Sequence, residues 1–204
     1  MPAREHILHK IRTAVGRSSG QPPAEIPPVR LRFEALDISE RVRRLAERFS
    51  GQVVHGDARE QVARLVSGKR AVACPHPLLE RLGILTLPEV ETLGGGVGHI
   101  RAACAAADIG ITSAEYGLCD TGALVVLAGR EESRLASLLP VVHVTVLPAD
   151  RILTGLDELF TVLPDPGAVS ASMVLIGGPS RTADIEQILT LGVHGPRELH
   201  LVLV

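Results

Sequence analysis

Aromatic residues are scarce in this sequence, which has no Trp, one Tyr and three Phe among its 204 residues. The core must therefore be built from Val, Leu, Ile and Ala. Apolar residues nevertheless make up 46% of the chain, which excludes an intrinsically disordered protein. Branched aliphatic residues without aromatics favour the doubly covered strands of an α/β protein.

Cysteine is also scarce. The chain has Cys74, Cys104 and Cys119 and no CxxC pair. The odd count argues against a disulfide framework, and the spacing offers no zinc or iron–sulfur site built by this chain alone. We therefore expect a reduced, cytoplasmic protein that binds no metal and no cofactor of its own. Cys119 is interpreted as a small buried residue rather than as a thiol nucleophile.

The sequence lacks both a large charge excess and a long apolar run. Its net charge is −2, with 21 basic and 23 acidic residues, which gives no indication of nucleic acid or an anionic membrane as a partner. Runs such as ALVVLAG are too short to span a bilayer, and the N-terminus lacks the apolar region of a secretory signal. A cluster of arginines follows a helical pattern and predicts a solvated helix face or, alternatively, a docking patch: Arg41, Arg43, Arg44 and Arg48.

The chain divides into three predicted parts. Apolar residues at helical spacing predict a helix over residues 3–15. The next stretch, GRSSGQPPAEIPP, has four prolines and predicts an extended linker, because proline fixes φ and removes a donor. We expect an N-terminal helical arm over 1–20, a proline-rich linker over 21–36 and an α/β domain over 37–204. The arm then packs on the body or on a neighbouring subunit of a homo-oligomer.

Helical and strand patterns alternate from residue 37 onward. The predicted helices cover residues 37–51, 57–68, 77–83, 99–107, 113–120, 131–139, 148–160 and 180–192. The predicted strands cover residues 52–55, 70–75, 84–89, 108–112, 123–129, 141–147, 172–178 and 198–204. This alternation implies parallel strands in a three-layer α/β sandwich.

The stretch CDTGALVV has the Asp-Thr-Gly of an aspartic protease, formed by Asp120, Thr121 and Gly122. Such a protease needs two copies on an all-β fold, each after an apolar strand, and here there is one copy in an α/β pattern. Thr112 to Glu115 has the spacing of a helix capping box, which predicts a cap role for Glu115 ahead of a site role. Asp120 is then a turn acid between a helix and a strand, or a site carboxylate.

A second motif begins at IGGPSRTAD, where an apolar strand runs into glycines. A helix beginning at Ser180 or Thr182 would offer free N–H groups to an anion, and Gly178 would allow close approach. Arg181 could add a bidentate contact to a carboxylate or phosphate. Asp184 either completes the helix dipole and pairs with Arg181, or lies in the site.

Two further loops are candidates. In GVHGP, Gly192 can end the helix in the left-handed conformation, and His194 is either a turn residue or a group that transfers protons or binds an anion. In LGGGVGHI the glycines do not match a dinucleotide-binding motif, so the segment is a flexible loop or, second, a phosphate cradle.

The combination of three stretches resembles the LUD-domain family, which is named for lactate utilisation: ADIGITSAEYGLCDTGALVVLAG, SRLASLLPVVHVTVLPADRIL and GGPSRTADIEQILTLGVHGPRELHLVLV. The resemblance covers residues 107–204 most clearly. It implies a Rossmann-like fold similar to sugar-phosphate isomerases, glucosamine-6-phosphate deaminase and CoA-transferases. Where family members commonly carry Glu before the Thr-Gly, this chain carries Asp120, which shortens the reach of the carboxylate.

The resemblance also implies a role in the oxidation of L-lactate to pyruvate, with a cysteine-rich and an iron–sulfur protein as partners. Iron–sulfur clusters are then expected on the partners. A small anion would bind at Thr121, Gly122 and residues Gly178 to Asp184, with Asp120 or His194 handling protons. Two alternatives stay open: a standalone isomerase-like or transferase-like enzyme acting on a sugar phosphate or CoA substrate, and a non-catalytic assembly subunit.

Overall fold

The structure, a computed structural model, describes residues 3–16, 34–128, 133–183 and 189–204, with the backbone alone at 182, 183, 189 and 190. The chain forms two compact units, residues 1–31 and 32–204. In the first unit, helix α1 spans Ala3–Ala14, as its spacing predicts, and buries none of its residues. The predicted linker falls almost wholly outside the described residues, so the three-part division stays a prediction.

The second unit begins with a regular alternation of helices and strands. Its helices are α2 (Ile38–Arg48), α3 (Ala58–Val66), α4 (Pro77–Arg81), α5 (Val97–Ala106), α6 (Leu156–Val162) and α7 (Pro166–Val169). Its strands are β1 (Gln52–His55), β2 (Ala71–Ala73), β3 (Val90–Thr92), β4 (Ile109–Ser113), β5 (Tyr116–Leu118), β6 (Ala123–Ala128), β7 (Val142–Leu147), β8 (Ile152–Leu153), β9 (Ser172–Ile176), β10 (Arg181–Ala183), β11 (Leu189–Leu191) and β12 (Glu198–Leu203). Short 3₁₀ helices cover Ile84–Thr86, Arg134–Ser137 and Ala149–Arg151.

The central sheet has six strands in the order β1-β12-β7-β4-β2-β3. Every pairing within it is parallel. The carboxyl ends of all six strands therefore meet at one edge. This Rossmann-like α/β architecture confirms the fold class.

The strand order contains a topological switch point. Strands β2 and β4 are neighbours, but the chain leaves β2 toward β3 on one side and leaves β4 toward β7 on the other. In open α/β sheets such a divergence opens a crevice outside the carboxyl ends of the two strands. That crevice is the place where the fold by itself predicts a ligand.

The two faces of the central sheet are covered differently. On one face α3 and α4 pack on a cluster that includes Val62, Ile111 and Val202. On the other face α2 and the strand β6 pack around residues such as Leu45 and Leu201. Neighbouring residues of β12 thus point to opposite cores, which is the pattern of a doubly covered strand.

A second sheet, with the order β8-β5-β6-β9, is a feature that the sequence analysis did not predict. Its β5–β6 and β6–β9 pairs are antiparallel, and β5 pairs with β8 in parallel. The predicted helix over 113–120 is therefore wrong. The N–H of Glu115 donates to the carbonyl of Val125, so this segment is extended and no capping box forms.

The predicted helix over 180–192 is also wrong. Its described parts form β10 and β11, which pair in antiparallel fashion with Arg181 opposite Leu191. Gly192 has a φ of +77°, so the left-handed conformation is confirmed although no helix precedes it. No helix therefore begins at Ser180 or Thr182 to offer free N–H groups to an anion.

Three smaller predictions are also wrong. Residues 84–89 begin with a 3₁₀ helix, and the strand starts only at Val90, after Pro88. Residues 148–160 combine a 3₁₀ helix, β8 and α6. Of the helix predicted over 131–139, the described part holds only the 3₁₀ helix Arg134–Ser137. In each case a short segment is fixed by the sheet next to it rather than by its own spacing.

Candidate functional site

The Asp-Thr-Gly motif forms the tight turn between β5 and β6. The N–H of Gly122 donates to the carbonyl of Leu118 at 2.9 Å, and Gly122 has a φ of +74°. A Cβ at Gly122 would overlap the backbone of Arg48, so the end of α2 lies directly against the turn. Asp120 is a turn acid, as predicted, but it joins two strands rather than a helix and a strand.

Asp120 lines a pocket of about 280 Å³, which we call the Asp120 pocket. Its lining residues are Glu34, Leu36, Arg44, Cys119, Asp120, Thr154, Gly155, Leu156 and Asp157. Three of these are acids. The one arginine, Arg44, is already paired with Glu34 and Glu40, at 2.7 Å in each case. The charge of this pocket disfavours an anion.

Cys119 is buried and lies next to Asp120. Burial, and secondly the charge of Asp120, raises the pKa of its thiol. A thiol with a raised pKa is protonated near neutral pH and is a poor nucleophile. The interpretation of Cys119 as a small buried residue is confirmed.

The arginine cluster on α2 is largely structural. Arg41 donates to the carbonyl of Ile152 at 2.8 Å and pairs with Glu158 at 3.1 Å. Arg48 donates to the carbonyl of Cys119 at 3.2 Å. Only Arg43, which pairs with acids of its own helix, fits the predicted solvated face.

Gly178 and Gly122 lie against the same segment. In the antiparallel pair of β6 and β9, Leu124 lies opposite Ile176, so Gly122, which precedes β6, and Gly178, which follows β9, lie at the same end of the pair. A Cβ at Gly178 would come within 2.7 Å of the Cβ of Ser50, just after α2. The structure thus brings one residue of each predicted motif to the end of α2.

Ser180 and His194 also lie together, but not at the end of α2. The N–H of His194 donates to the Ser180 hydroxyl at 3.1 Å. The N–H of Ser180 donates to the carbonyl of Pro196, and the N–H of Gly192 donates to the carbonyl of Ser180, at 2.9 Å in each case. Ser180 therefore fixes the loop that carries His194.

His194 lines an open cleft of about 600 Å³, which we call the His194 cleft. Its lining residues are Leu138, Leu139, Pro140, Val141, Gly192, Val193, His194, Gly195 and Arg197. This set contains two groups able to carry positive charge, His194 and Arg197, and no acid. The sequence analysis missed Arg197, because only the cleft distinguishes it from any other arginine after a turn.

The predicted site residues therefore divide between two places. Asp120 lines its own pocket and His194 lines the cleft, and neither set of lining residues includes the other group. Arg181 is exposed on β10, where Thr182 also lies. Asp184 lies outside the described residues. The role of each predicted residue in binding stays a prediction.

The switch point carries a pair of side chains that the sequence analysis did not select. His76 follows β2 and Glu115 follows β4, and both are half-buried. The His76 Nε2 atom lies 3.4 Å from Glu115 Oε1. We call these two residues the switch-point pair. No sequence signal reveals them as partners, because their contact depends on β2 and β4 being neighbours.

The hydrogen bonds of His76 define its tautomer. Its Nδ1 accepts from the N–H of Leu78 at 3.1 Å, which caps α4. A neutral imidazole then carries its proton on Nε2, the atom that faces Glu115. The hydrogen bond from His76, and secondly its charge when protonated, lowers the pKa of Glu115 against the opposing effect of burial.

Arg151 completes the surroundings of this pair. Its guanidinium lies over the Tyr116 ring, 5.6 Å from the ring centre, and contacts the phenol oxygen at 3.5 Å. Its charge also helps to lower the pKa of Glu115. Within the described part of the chain, Arg151 forms no ion pair with a carboxylate. Arg151 thus contacts Tyr116, and its charge acts on the neighbouring Glu115 carboxylate.

Among the residues that the structure describes, no three His, Cys, Asp or Glu side chains are grouped so that they could hold a metal ion. None of the described helices is long and apolar enough to cross a membrane.

The model of one protein family, the LUD domain, matches residues 55–204 of this sequence. The chain belongs to the LUD domain family. The match includes both glycine motifs, the switch-point pair and every strand of the central sheet except β1, of which only His55 is matched. The resemblance seen in the sequence is confirmed.

Several relatives of this LUD domain protein carry the name lactate utilization protein C. The one from Bacillus subtilis is 30% identical over 161 residues, which are 72% of this chain and 66% of the relative. The one from Halalkalibacterium halodurans is 37% identical over 94 residues, 44% of this chain and 41% of the relative. The matches thus span from about two fifths to about two thirds of the length of these curated relatives.

A solved structure supports the fold of the LUD domain protein. It is the crystal structure of a DUF162 family protein from Deinococcus radiodurans at 1.70 Å resolution. The TM-score is 0.62 and the identity 18%, over 83% of this chain and 99% of that one. At this identity the likeness concerns the fold alone.

Proposed function

We propose that this LUD domain protein is a cytoplasmic subunit of a lactate-oxidising system. In this proposal it takes part in the oxidation of L-lactate to pyruvate together with iron–sulfur and cysteine-rich partner proteins, and it binds a small anionic ligand. The observation that carries the proposal is the match to lactate utilization protein C over 72% of the chain.

The distribution of cysteine supports placing the electron-transfer groups on partners. Cys74 and Cys104 belong to one buried cluster, and Cys119 belongs to another. Burial raises the pKa of Cys104 and of Cys119. Iron–sulfur clusters need several thiolates that converge on one point, which this arrangement does not offer.

Charge favours the His194 cleft over the Asp120 pocket as the place for the anion. The cleft combines His194 and Arg197 with an apolar wall and has no acid among its lining residues. The Asp120 pocket has three acids and an arginine that is already paired. A carboxylate, a phosphate or a CoA-like anion would gain a charge-assisted contact in the cleft. Asp120 and His194, the two residues proposed to transfer protons, then lie in two separate places.

The role in lactate oxidation is tested by reconstitution. The chain is purified with its iron–sulfur and cysteine-rich partners, and reduction of an electron acceptor is followed on addition of L-lactate. We expect activity that is lost when this chain is left out. Full activity without it would contradict the proposal, and turnover of a sugar phosphate or CoA substrate by the chain alone would favour a standalone enzyme. If the partner proteins fail to assemble without this chain, while complexes with Asp120→Asn and His194→Ala are fully active, the chain is an assembly subunit.

The anion site is tested by calorimetric titration of the full chain with L-lactate, pyruvate, CoA and a sugar phosphate. For the ligand that binds, Arg197→Ala should weaken binding by about tenfold or more, since a charge-assisted hydrogen bond contributes about 1.5–3 kcal/mol. Arg81→Ala, which changes an exposed arginine at the end of α4, is the matched control. Equal affinities of the two variants would remove the cleft from the proposal.

A further inference from the structure

The His194 cleft lies at the amino edge of the central sheet. Its lining residues come from the two segments that lead into β7 and β12, residues 138–141 and 192–197. Arg197 and Glu198 each donate a backbone N–H to the carbonyl of Val141, at 2.8 Å and 3.3 Å, which holds the two segments side by side. The cleft is therefore at the opposite edge of the sheet from the switch point, and the fold by itself does not predict it.

One loop carries both cationic groups of the cleft, and its backbone is fixed. The Ser180 hydroxyl accepts from the N–H of His194 at 3.1 Å, and the Ser180 N–H donates to the carbonyl of Pro196 at 2.9 Å. Gly192 has a φ of +77°, and a Cβ there would overlap Arg197 Cγ, so the aliphatic stem of Arg197 lies against the bare Cα of Gly192. The loop thus holds His194 and the stem of Arg197 in defined positions.

The polar part of the cleft is positive. His194 and Arg197 are both exposed, and within the described residues neither forms an ion pair. Glu198 follows Arg197 in the sequence, but it does not line the cleft, and its carboxylate lies 3.7 Å from His200 Nε2. A carboxylate ligand would therefore gain a charge-assisted contact from Arg197, and no acid among the lining residues would compete with it.

The rest of the cleft wall is aliphatic. Leu139, Val141 and Val193 have 43%, 54% and 50% of their surface exposed, and Leu138 and Pro140 complete the wall. Branched side chains exposed on one concave surface keep apolar area in contact with water, and an apolar ligand would remove that contact. The cleft volume of about 600 Å³ is typical of sites for ligands much larger than a three-carbon acid.

We propose that the His194 cleft binds an amphipathic carboxylate, whose head group pairs with Arg197 and whose chain lies on the aliphatic wall. This inference rests on the placement of the anion under the proposed function, and it names the chemical class of that anion. A sugar phosphate has no apolar group to cover the wall, and L-lactate has a single methyl group. Aliphatic monocarboxylates of medium length fit both halves of the cleft.

Chain length tests the class of ligand. The full chain is titrated with butanoate, hexanoate and octanoate, each below its critical micelle concentration, and chemical shifts are followed by NMR. Affinity should rise by roughly twofold to fourfold for each methylene, the upper value being that of full burial of one CH₂ group. Octanamide, which keeps the chain and lacks the charge, should bind about tenfold more weakly than octanoate. Equal affinities across the series, or no binding of octanoate, would overturn the inference.

Two variants separate the head-group contact from the wall. Arg197→Ala should weaken all three carboxylates by about tenfold and leave the octanoate-to-butanoate affinity ratio unchanged. The double variant Val141→Thr, Val193→Thr keeps the shape of both side chains but places hydroxyl groups on the wall. It should lower that ratio by about threefold or more, because an apolar chain would bury the hydroxyls. An unchanged ratio in the folded double variant would contradict the proposed position of the chain.

Matched controls locate the site. Val169 lies on α7 with 62% of its surface exposed and does not line the cleft, so Val169→Thr should leave the ratio unchanged. Arg81→Ala should leave every affinity unchanged. An equal fall of the ratio in Val169→Thr and in the double variant would show non-specific adsorption and overturn the inference. If the reconstituted system oxidises L-lactate but the three carboxylates bind alike, this inference fails and the proposed function stands. If octanoate binds through Arg197 but the reconstituted system is inactive, the proposed function fails and this inference stands.

Discussion

His143 is a titratable side chain in the buried core. It lies in β7 with no exposed surface, and its Nε2 contacts the hydroxyls of Thr112 at 2.9 Å and Thr145 at 3.1 Å. Burial lowers its pKa to about 4. The neutral ring is satisfied by hydroxyl groups, whereas a charged ring would have no carboxylate partner among these contacts.

This shift predicts a loss of stability in mild acid. The unfolded chain binds a proton at His143 near pH 6.5, whereas the folded chain does so only near pH 4, so the stabilising effect is complete above pH 6.5 and is lost as the pH falls through this window. The free energy of unfolding should fall by about 3 kcal/mol from this group between pH 7 and pH 4. Urea unfolding at a series of pH values measures it.

The control for this prediction is His143→Gln, which keeps a polar side chain and removes the titration. Its unfolding free energy should be lower at pH 7 but should fall less steeply between pH 6.5 and pH 4. His200, whose pKa is also lowered by burial, is present in both proteins and cancels in the comparison. Parallel pH curves for the two proteins would contradict the assignment to His143.

At the scale of elements, α2 connects parts of the molecule that are distant in sequence. Asp37 caps it by accepting from the N–H of Glu40 at 2.8 Å. The helix also makes contacts with distant parts of the chain. Arg41 bonds to the Ile152 carbonyl and pairs with Glu158, and Arg48 bonds to the Cys119 carbonyl. Its end also lies against Gly122 and Gly178. The helix thus holds the β5–β6 turn and β9 in their relative positions.

Arg41→Met should destabilise the protein more than Arg43→Met. Arg41 and Glu158 are more than four fifths buried, so removing the arginine leaves the Glu158 carboxylate and the Ile152 carbonyl short of a partner. We expect a loss of about 1–3 kcal/mol in the free energy of unfolding. Arg43 makes exposed pairs within its own helix, and its replacement should have little effect. Chemical denaturation compares the two variants, and equal losses would refute the tertiary role of Arg41.

At the scale of the whole molecule, the central sheet is stabilised from both faces by separate cores. Leu201 is fully buried in β12 and belongs to the cluster under α2, while its neighbour Val202 belongs to the cluster under α3 and α4. The sheet therefore couples the helices on one face to those on the other. Loss of either core should weaken the whole domain and not one element alone.

Leu201→Ala should lower the free energy of unfolding by about 2–5 kcal/mol, because it removes buried apolar atoms and leaves a cavity. Leu175→Ala is the control, since Leu175 lies on β9 with 44% of its surface exposed. Its replacement should cost much less. Thermal or chemical unfolding followed by circular dichroism should show one cooperative transition in both variants. A separate early transition in Leu201→Ala would contradict the coupling between the two cores.

The sequence alone determined the elements whose pattern is strong and local. The helices α2 and α3, and strands such as β6, β7 and β12, follow from apolar spacing and turn chemistry that act within one segment. The parallel α/β architecture follows from their alternation. The burial of Cys119 and the turn at Asp120 to Gly122 were also predicted from the local sequence.

The conformation of other segments depends on hydrogen bonds to partners that are distant in the sequence. Residues 113–120 carry a helical capping pattern but pair with β6 and β8, and residues around Ser180 and Leu191 pair with each other, because hydrogen bonds between strands outweigh a short helical preference. The separation of Asp120 from His194 and the meeting of His76 with Glu115 depend on strand order. Spacing along the chain does not encode which strands become neighbours, and that choice fixes the candidate sites of this protein.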